Sequence, residues 1–368
     1  MMRSLYIHIP FCERKCLYCS FAVTVGQRRR VDAYLDCLSQ EARRYKGQSI
    51  SSVYIGGGTP SFLNENQFKD LFRMIGENFR ISPHAECTAE VNPESVDEAK
   101  AGLLRSLGVN RISLGVQSFN DRYLQYLGRN HNRQKAMDAY GIIRNAGFAN
   151  VNADLMFSFP RQTSAEIRQD VEAIIRLESE HVSLYMLHLE ENSRFYAEGI
   201  HLPGDHVQAR HYRLVTHQLE MAGFIQYEIS NFAKSGKESR HNLNYWEGGS
   251  YIGLGAGAHS YGNGKLSWNV ARLPVYMARI QEKGSATEGF QSLDRDGQFK
   301  LAALIGLRMN QGVSPEKLEK HFGTSFKEQE QEKMDEFIRQ GFLVIEEGYL
   351  KATMKGRLVL DELCAQLT

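Results

Sequence analysis

The sequence has no apolar run long enough to cross a membrane and almost no net charge. Charged residues, Gly or Pro interrupt every hydrophobic stretch, so stable membrane insertion is not expected. The start, "MMRSLYIHIP", lacks the apolar core of a signal peptide. Lys and Arg number 44 against 43 Asp and Glu, for a net charge of +1. Nucleic-acid binders carry a clustered basic excess, so nucleic acid is not an expected partner. There are only six cysteines, and three of them crowd into one loop while Cys37, Cys87 and Cys364 are scattered. That is not the spread of a secreted disulfide framework. These absences together point to a reduced, cytoplasmic protein. Cys37, Cys87 and Cys364 read as small buried residues.

What is present is alternation. "SLYIHIP", "SSVYIGGG", "ECTAEVNP", "RISLGVQS", "NVNADLMFSFP" and "HVSLYMLHLE" read as strands. Between them lie amphipathic stretches such as "VDAYLDCLSQEARRYK", "NENQFKDLFRMIGENF", "VDEAKAGLLRSLG" and "SAEIRQDVEAIIRLE". Repeated strand–helix units imply a parallel sheet. Right-handed crossovers roll it into part of a barrel. A doubly wound open sheet is the competing topology, and periodicity does not separate the two. Beyond Glu190 a long helix is expected in "HVQARHYRLVTHQLEMAG", then strands and tight turns in "YIGLGAGAHSYGNGK". From about Asp294, helices, the hairpin "FLVIEEGYLKA" and one closing helix in "MKGRLVLDELCAQL" suggest a winged-helix-like module. Such folds often bind DNA, but this copy is rich in Glu. "GQRRR" before the first helix reads as a solvated helix start.

The chemistry lies in "YIHIPFCERKCLYCSF", which places Cys12, Cys16 and Cys19 in one loop with the spacing Cys-x3-Cys-x2-Cys. Thiolates bind zinc or iron–sulfur clusters. Three cysteines can anchor three irons of a 4Fe–4S cube and leave the fourth open to a ligand. A zinc site completed by His8, or three unliganded thiols, are the alternatives. Other features recur where strands end: "GGGTP" after the second strand, Glu90 on the third, Gln117 on the fourth and Asp154 in the fifth. In strand–helix barrels that rim carries function.

These motifs resemble the radical S-adenosylmethionine (SAM) superfamily: the cysteine triplet, Tyr18 before the last cysteine, and "GGGTP". The resemblance implies a partial (β/α)6 TIM-like barrel holding a 4Fe–4S cluster and SAM. It also implies that the open iron chelates the amino and carboxylate groups of SAM, whose reductive cleavage yields a deoxyadenosyl radical. "YIHIPFC", "GGGTPS", "EVNPE", "RISLGVQSF", "LGRNH" and "LMFSFP" narrow the resemblance to the coproporphyrinogen III oxidase-like branch. That branch holds an oxygen-independent dehydrogenase, which makes protoporphyrinogen by radical decarboxylation, and haem chaperones. By position, Cys12, Cys16 and Cys19 match its cluster ligands. Tyr6, Tyr18, Gly57, Gly58, Thr59, Glu90, Gln117, Arg129 and Asp154 match its SAM contacts.

Three features favour the chaperones within that branch. The dehydrogenase has a further cysteine two residues after the third, and this chain has Phe21 there. Only eleven residues precede Cys12, which leaves no room for the dehydrogenase's N-terminal extension. "HNLNYW" matches the haem-binding motif of the branch, and implies His241 as a haem ligand with Asn242, Tyr245 and Trp246 around it. Histidine is a common axial ligand, and His259 is a second candidate. The chaperone pattern has Asp after the third cysteine, where this chain has Ser20. The expected segments are 1–230 for the barrel, 231–293 for a glycine-rich connection with the haem motif, and 294–368 for the C-terminal module. The implied partners are haem and haem-accepting respiratory proteins, and the reading is compatible with a homodimer.

Overall fold

The computed structural model describes residues 2–367; the outermost residues of the expected segments, 1 and 368, lie outside it. Six strands alternate with helices: β1 (Arg3–Ile9), β2 (Gln48–Gly57), β3 (Phe79–Val91), β4 (Arg111–Gln117), β5 (Val151–Phe157) and β6 (His181–Met186). They stand side by side in chain order, each parallel to the next. A doubly wound sheet would reverse its order at a switch point. The unbroken order is that of a partial barrel.

The helices obey local signals. The helix Glu65–Asn78 starts at Asn64, whose side chain accepts from Gln67 N, and Gln67 reaches back to close a capping box. Thr163 and Glu166 do the same for the helix Ser164–Arg176. Along each strand, one face is apolar and the other polar. Leu5, Ile7, Val53, Ile55, Ala89, Ile112, Leu114 and Val182 belong to the main hydrophobic core. The alternate residues Ser4, Ser52, Glu86, Thr88, Arg111, Ser113, Asn152, His181 and Ser183 are buried and polar. Side chains alternate faces along a strand, so these polar groups share the other face, where Ser4 bonds Ser52 and Asn152 bonds Ser113, His181 and Ser183, while Thr88 Oγ1 and Arg111 Nε have no partner among the described residues.

The strands expected after the barrel extend this sheet rather than form another layer. The pair β7 (Ile225–Glu228) and β8 (Asn231–Ala233) adds antiparallel beside β6. On the other side β9 (Tyr251–Leu254) lies parallel to β1, followed by β10 (His259–Gly262), β11 (Lys265–Asn269) and β12 (Thr287–Ser292). The result is one twelve-stranded sheet whose two ends do not meet.

Residues beyond 294 build three helices and a hairpin with a core of their own, centred on Leu307, Met334, Phe337, Leu343 and Leu350. The closing segment is two short helices, Met354–Arg357 and Leu360–Ala365, not one. Inside the first of them Gly356 packs tightly on the chain, since a Cβ there would stand 2.0 Å from Phe342 O. The module docks on β7 through Ile229 N to Arg308 O (3.1 Å) and Asn310 N to Tyr227 O (3.0 Å). No helix among the described residues is long and apolar enough to cross a membrane.

Candidate functional site

The loop after β1 is pinned on several sides. Gly58 N donates to Ile9 O (2.8 Å), Thr59 N to Phe11 O (2.9 Å) and Leu17 N to Leu127 O (3.0 Å). This presents Cys12, Cys16 and Cys19 on a cavity of about 440 Å3 at the C-terminal rim of the barrel. Tyr18, Gly57, Gly58, Thr59, Glu90, Gln117, Arg129 and Asp154 line the same cavity. Tyr6 does not. It lies behind, stacked on Tyr54 at 6.2 Å and bonded through its hydroxyl to His8 Nδ1 (3.0 Å).

The sulfurs already have hydrogen-bond donors. Thr59 Oγ1 donates to Cys12 Sγ (3.3 Å) and Arg129 Nη1 to Cys16 Sγ (3.5 Å). Among the described residues no three His, Cys, Asp or Glu side chains converge to hold one metal ion. His8 does not line the cavity, and its Nδ1 is bonded to Tyr6 Oη (3.0 Å), which disfavours the zinc arrangement. Three cysteines on one loop suit a cube, in which each holds a different iron.

Glycine is required beside this loop. Gly57 has φ +115°, and a Cβ there would stand 2.6 Å from His8 Nδ1. A Cβ on Gly58 would meet Phe11 O at 2.8 Å and Cys12 Sγ at 3.0 Å. Gln117 also holds the left-handed region, at φ 67°. A non-glycine residue there is strained, and such strain clusters at functional sites.

The cavity floor is anionic. Glu90 accepts from Tyr54 Oη (2.8 Å) and from Gly57 N (3.1 Å). Burial, then the neighbouring Asp154, push its pKa up to about 7. Asp154 accepts from Asn152 Nδ2 (2.7 Å), and burial raises its pKa as well. Two carboxylates in one desolvated cavity favour a cationic guest. SAM, with an ammonium and a sulfonium, is such a guest.

Arg129 supplies the opposite charge. Its Nη2 donates to Asn92 Oδ1 (2.8 Å) and Gly115 O (2.9 Å), while its buried Nε has no partner. Burial alone would lower its pKa, but Tyr18, Cys16 and Glu94 outweigh that and raise it. An orphaned guanidinium nitrogen beside the cysteine loop fits a ligand carboxylate. The residues present therefore fit both a cluster and SAM.

Sequence reasoning passed over several members of this site. Asn92 bridges Arg129 and Thr59, its Nδ2 donating to Thr59 Oγ1 (3.1 Å). Glu94 is held by His131 Nδ1 (3.3 Å), whose Nε2 meets Val116 O (3.0 Å). Both Asn92 and Glu94 stand in "EVNPE", which was the available signal. Met156, Tyr185, Met186 and His188 also line the cavity. Nothing in their spacing marked them.

The haem motif lies elsewhere. "HNLNYW" forms most of a short helix, Arg240–Trp246, capped by Ser239. Glu86 accepts from Ser239 Oγ (3.3 Å), Arg240 N (3.1 Å) and His241 N (3.0 Å). His241 is 1% exposed, with Nδ1 on Ser52 Oγ (2.9 Å) and Nε2 on Tyr245 Oη (3.0 Å). Burial, then Arg111, lower its pKa to about 3, so the ring is neutral. An axial ligand needs a free ring nitrogen, and in this conformation His241 offers none. Asn242 and Tyr245 belong to the same packed group, and the Trp246 ring lies under Arg308 at 5.0 Å. None of the four lines the cavity. His259 stacks on Trp268 at 6.1 Å, also away from it.

Fold and cavity define a radical SAM protein. Residues 6–174 match the model of the Radical SAM superfamily, and residues 298–359 match the HemN C-terminal domain. The heme chaperone HemW of Bacillus subtilis is 36% identical, over 98% of each chain. The heme chaperone HemW of Lactococcus lactis is 34% identical, over 96% of this chain and 94% of its own. Coproporphyrinogen III oxidase (HemN) from Escherichia coli, a radical SAM enzyme, superposes with a TM-score of 0.88 at 25% identity, covering 100% of this chain and 90% of that one. The chain belongs to the HemW family of radical SAM proteins. That membership implies a 4Fe–4S cluster and SAM.

Proposed function

We propose that this protein is a haem chaperone, which binds haem and delivers it to haem proteins such as those of respiration. The observation that carries this reading is the full-length similarity to heme chaperones. Phe21 supports it: where the dehydrogenase pattern has a further cysteine, this chain puts an apolar ring, 60% exposed, on the cavity.

Cys12, Cys16 and Cys19 would hold three irons of the cluster. Glu90 would take the ammonium of SAM, Arg129 its carboxylate, and Gln117 and Asp154 its ribose hydroxyls. Gly57, Gly58 and Thr59 would bring backbone close to the methionine end, and Tyr18 would close the cavity beside the loop. Tyr6 would act from behind, packing Tyr54 against Glu90. When bound, the cluster and SAM would supply one-electron chemistry. The residues of this chain would orient the guest, neutralise its charges and exclude water.

The test is haem transfer. Haem-loaded protein, anaerobically reconstituted, is mixed with an apo haem protein, and acceptor absorbance is followed. Acceptor loading faster than from free haem is expected. A second reading, oxygen-independent coproporphyrinogen III decarboxylation, is favoured by the HemN-like fold. Protoporphyrinogen formation from coproporphyrinogen III with SAM and reductant, without haem transfer, would establish that reading instead.

A further inference from the structure

His188 is the one histidine among the described residues that lines the cavity. It is exposed, and no hydrogen bond or ion pair engages its ring. It stands two residues past the end of β6, on the barrel's C-terminal rim. The buried histidines of the sheet interior differ. His181 bonds Asn152 Oδ1 (2.7 Å) and Tyr227 Oη (2.8 Å), and His241 is likewise engaged at both nitrogens.

The rim around His188 is apolar where a macrocycle would need it. Tyr185 is 45% exposed and Phe21 60% exposed, yet both line the cavity, and Met186 lies beside them. Exposed aromatic rings bordering one cavity supply the large flat apolar area that stacks on another π system. Arg14 and Lys15 line the same mouth. Their charges suit carboxylates at the edge of a flat ligand. The anionic pair Glu90 and Asp154 lies on the floor instead.

We propose that haem binds across the mouth of this cavity with His188 as its axial ligand. The inference rests on the haem-chaperone reading and gives that reading a site. The macrocycle lies against Tyr185, Met186 and Phe21, and the propionates meet Arg14 and Lys15. A ring nitrogen of His188 donates its lone pair to iron. The floor of the cavity stays available to SAM.

The experiment is a haem titration of anaerobically reconstituted protein, wild type and His188→Gly, read by the Soret band and by magnetic circular dichroism. His188 contacts no structural partner, so the variant is expected to fold, and far-ultraviolet dichroism checks this. Wild type is expected to show a histidine-ligated spectrum. His188→Gly is expected to lose that signature and to bind haem about tenfold more weakly or worse. Added imidazole, the excised side chain, is expected to restore the spectrum. If His188→Gly keeps the wild-type spectrum and affinity, the ligand is another residue, and the chaperone reading stands without this site. If wild type binds no haem, the chaperone reading falls and this inference with it.

Discussion

The ring of Tyr54 lies 5.1 Å from the imidazole of His241, and its hydroxyl donates to Glu90 at 2.8 Å. One side chain thus joins the packed interior beneath the sheet to the floor of the cavity. His241 is a support of that floor: it fixes Tyr54, and Tyr54 fixes the carboxylate.

Glu90 should make SAM binding depend on pH. A carboxyl whose pKa is raised on folding, here to about 7, binds its proton more tightly in the folded state. Its contribution to stability is therefore present at low pH and lost as pH rises through about 7. The charge that attracts an ammonium appears over the same range. Calorimetry should show SAM affinity falling as pH drops below about 7, and Glu90→Gln should remove that dependence. The same variant should be more stable than wild type at pH 8 without SAM, by about 1–3 kcal/mol.

Arg111 works against burial and Asp154 in that titration. It is 2% exposed, its Nε has no partner, and its charge lowers the pKa of Glu90 and Asp154. Arg111→Leu removes the cation, so Glu90 should hold its proton to higher pH. The pH at which SAM affinity is half lost should move upward. An unchanged midpoint would mean that Arg111 does not act on Glu90.

Gly58→Ala should empty the cluster site. The added carbon meets Phe11 O and Cys12 Sγ at 3.0 Å or less, and neither a backbone carbonyl nor a cluster ligand can retreat freely. Iron and sulfide per chain after reconstitution should fall to less than half of wild type, with far-ultraviolet dichroism unchanged.

His241→Ala should act on stability. It leaves Ser52 Oγ and Tyr245 Oη without their shared partner and opens a cavity beside Tyr54. The cost should be about 2–4 kcal/mol in denaturant unfolding. Loss of a haem ligand with no loss of stability would contradict this placement.

The alternation of strands and helices was legible because each strand keeps an apolar run and each helix a 3.6-residue period. The cavity was legible because its residues come in contiguous motifs at strand ends, from Cys12 to Asp154. The position of the haem motif was not. Residues 240–246 reach the sheet interior because β9 pairs with β1, a contact between chain segments some 250 residues apart. No local pattern encodes it. Arg111 opens the strand "RISLGVQS", and nothing in that run signals that its side chain is buried. His188 sat inside an ordinary strand pattern, and its freedom appears only where β6 ends at Met186.

The most direct measurement is the stoichiometry of haem binding to wild-type protein, reconstituted anaerobically, by Soret titration with and without saturating SAM. Saturation near one haem per chain in both conditions is expected, since haem occupies the mouth and SAM the floor. No saturable binding would contradict the account, and the coproporphyrinogen assay would then decide what the cavity does.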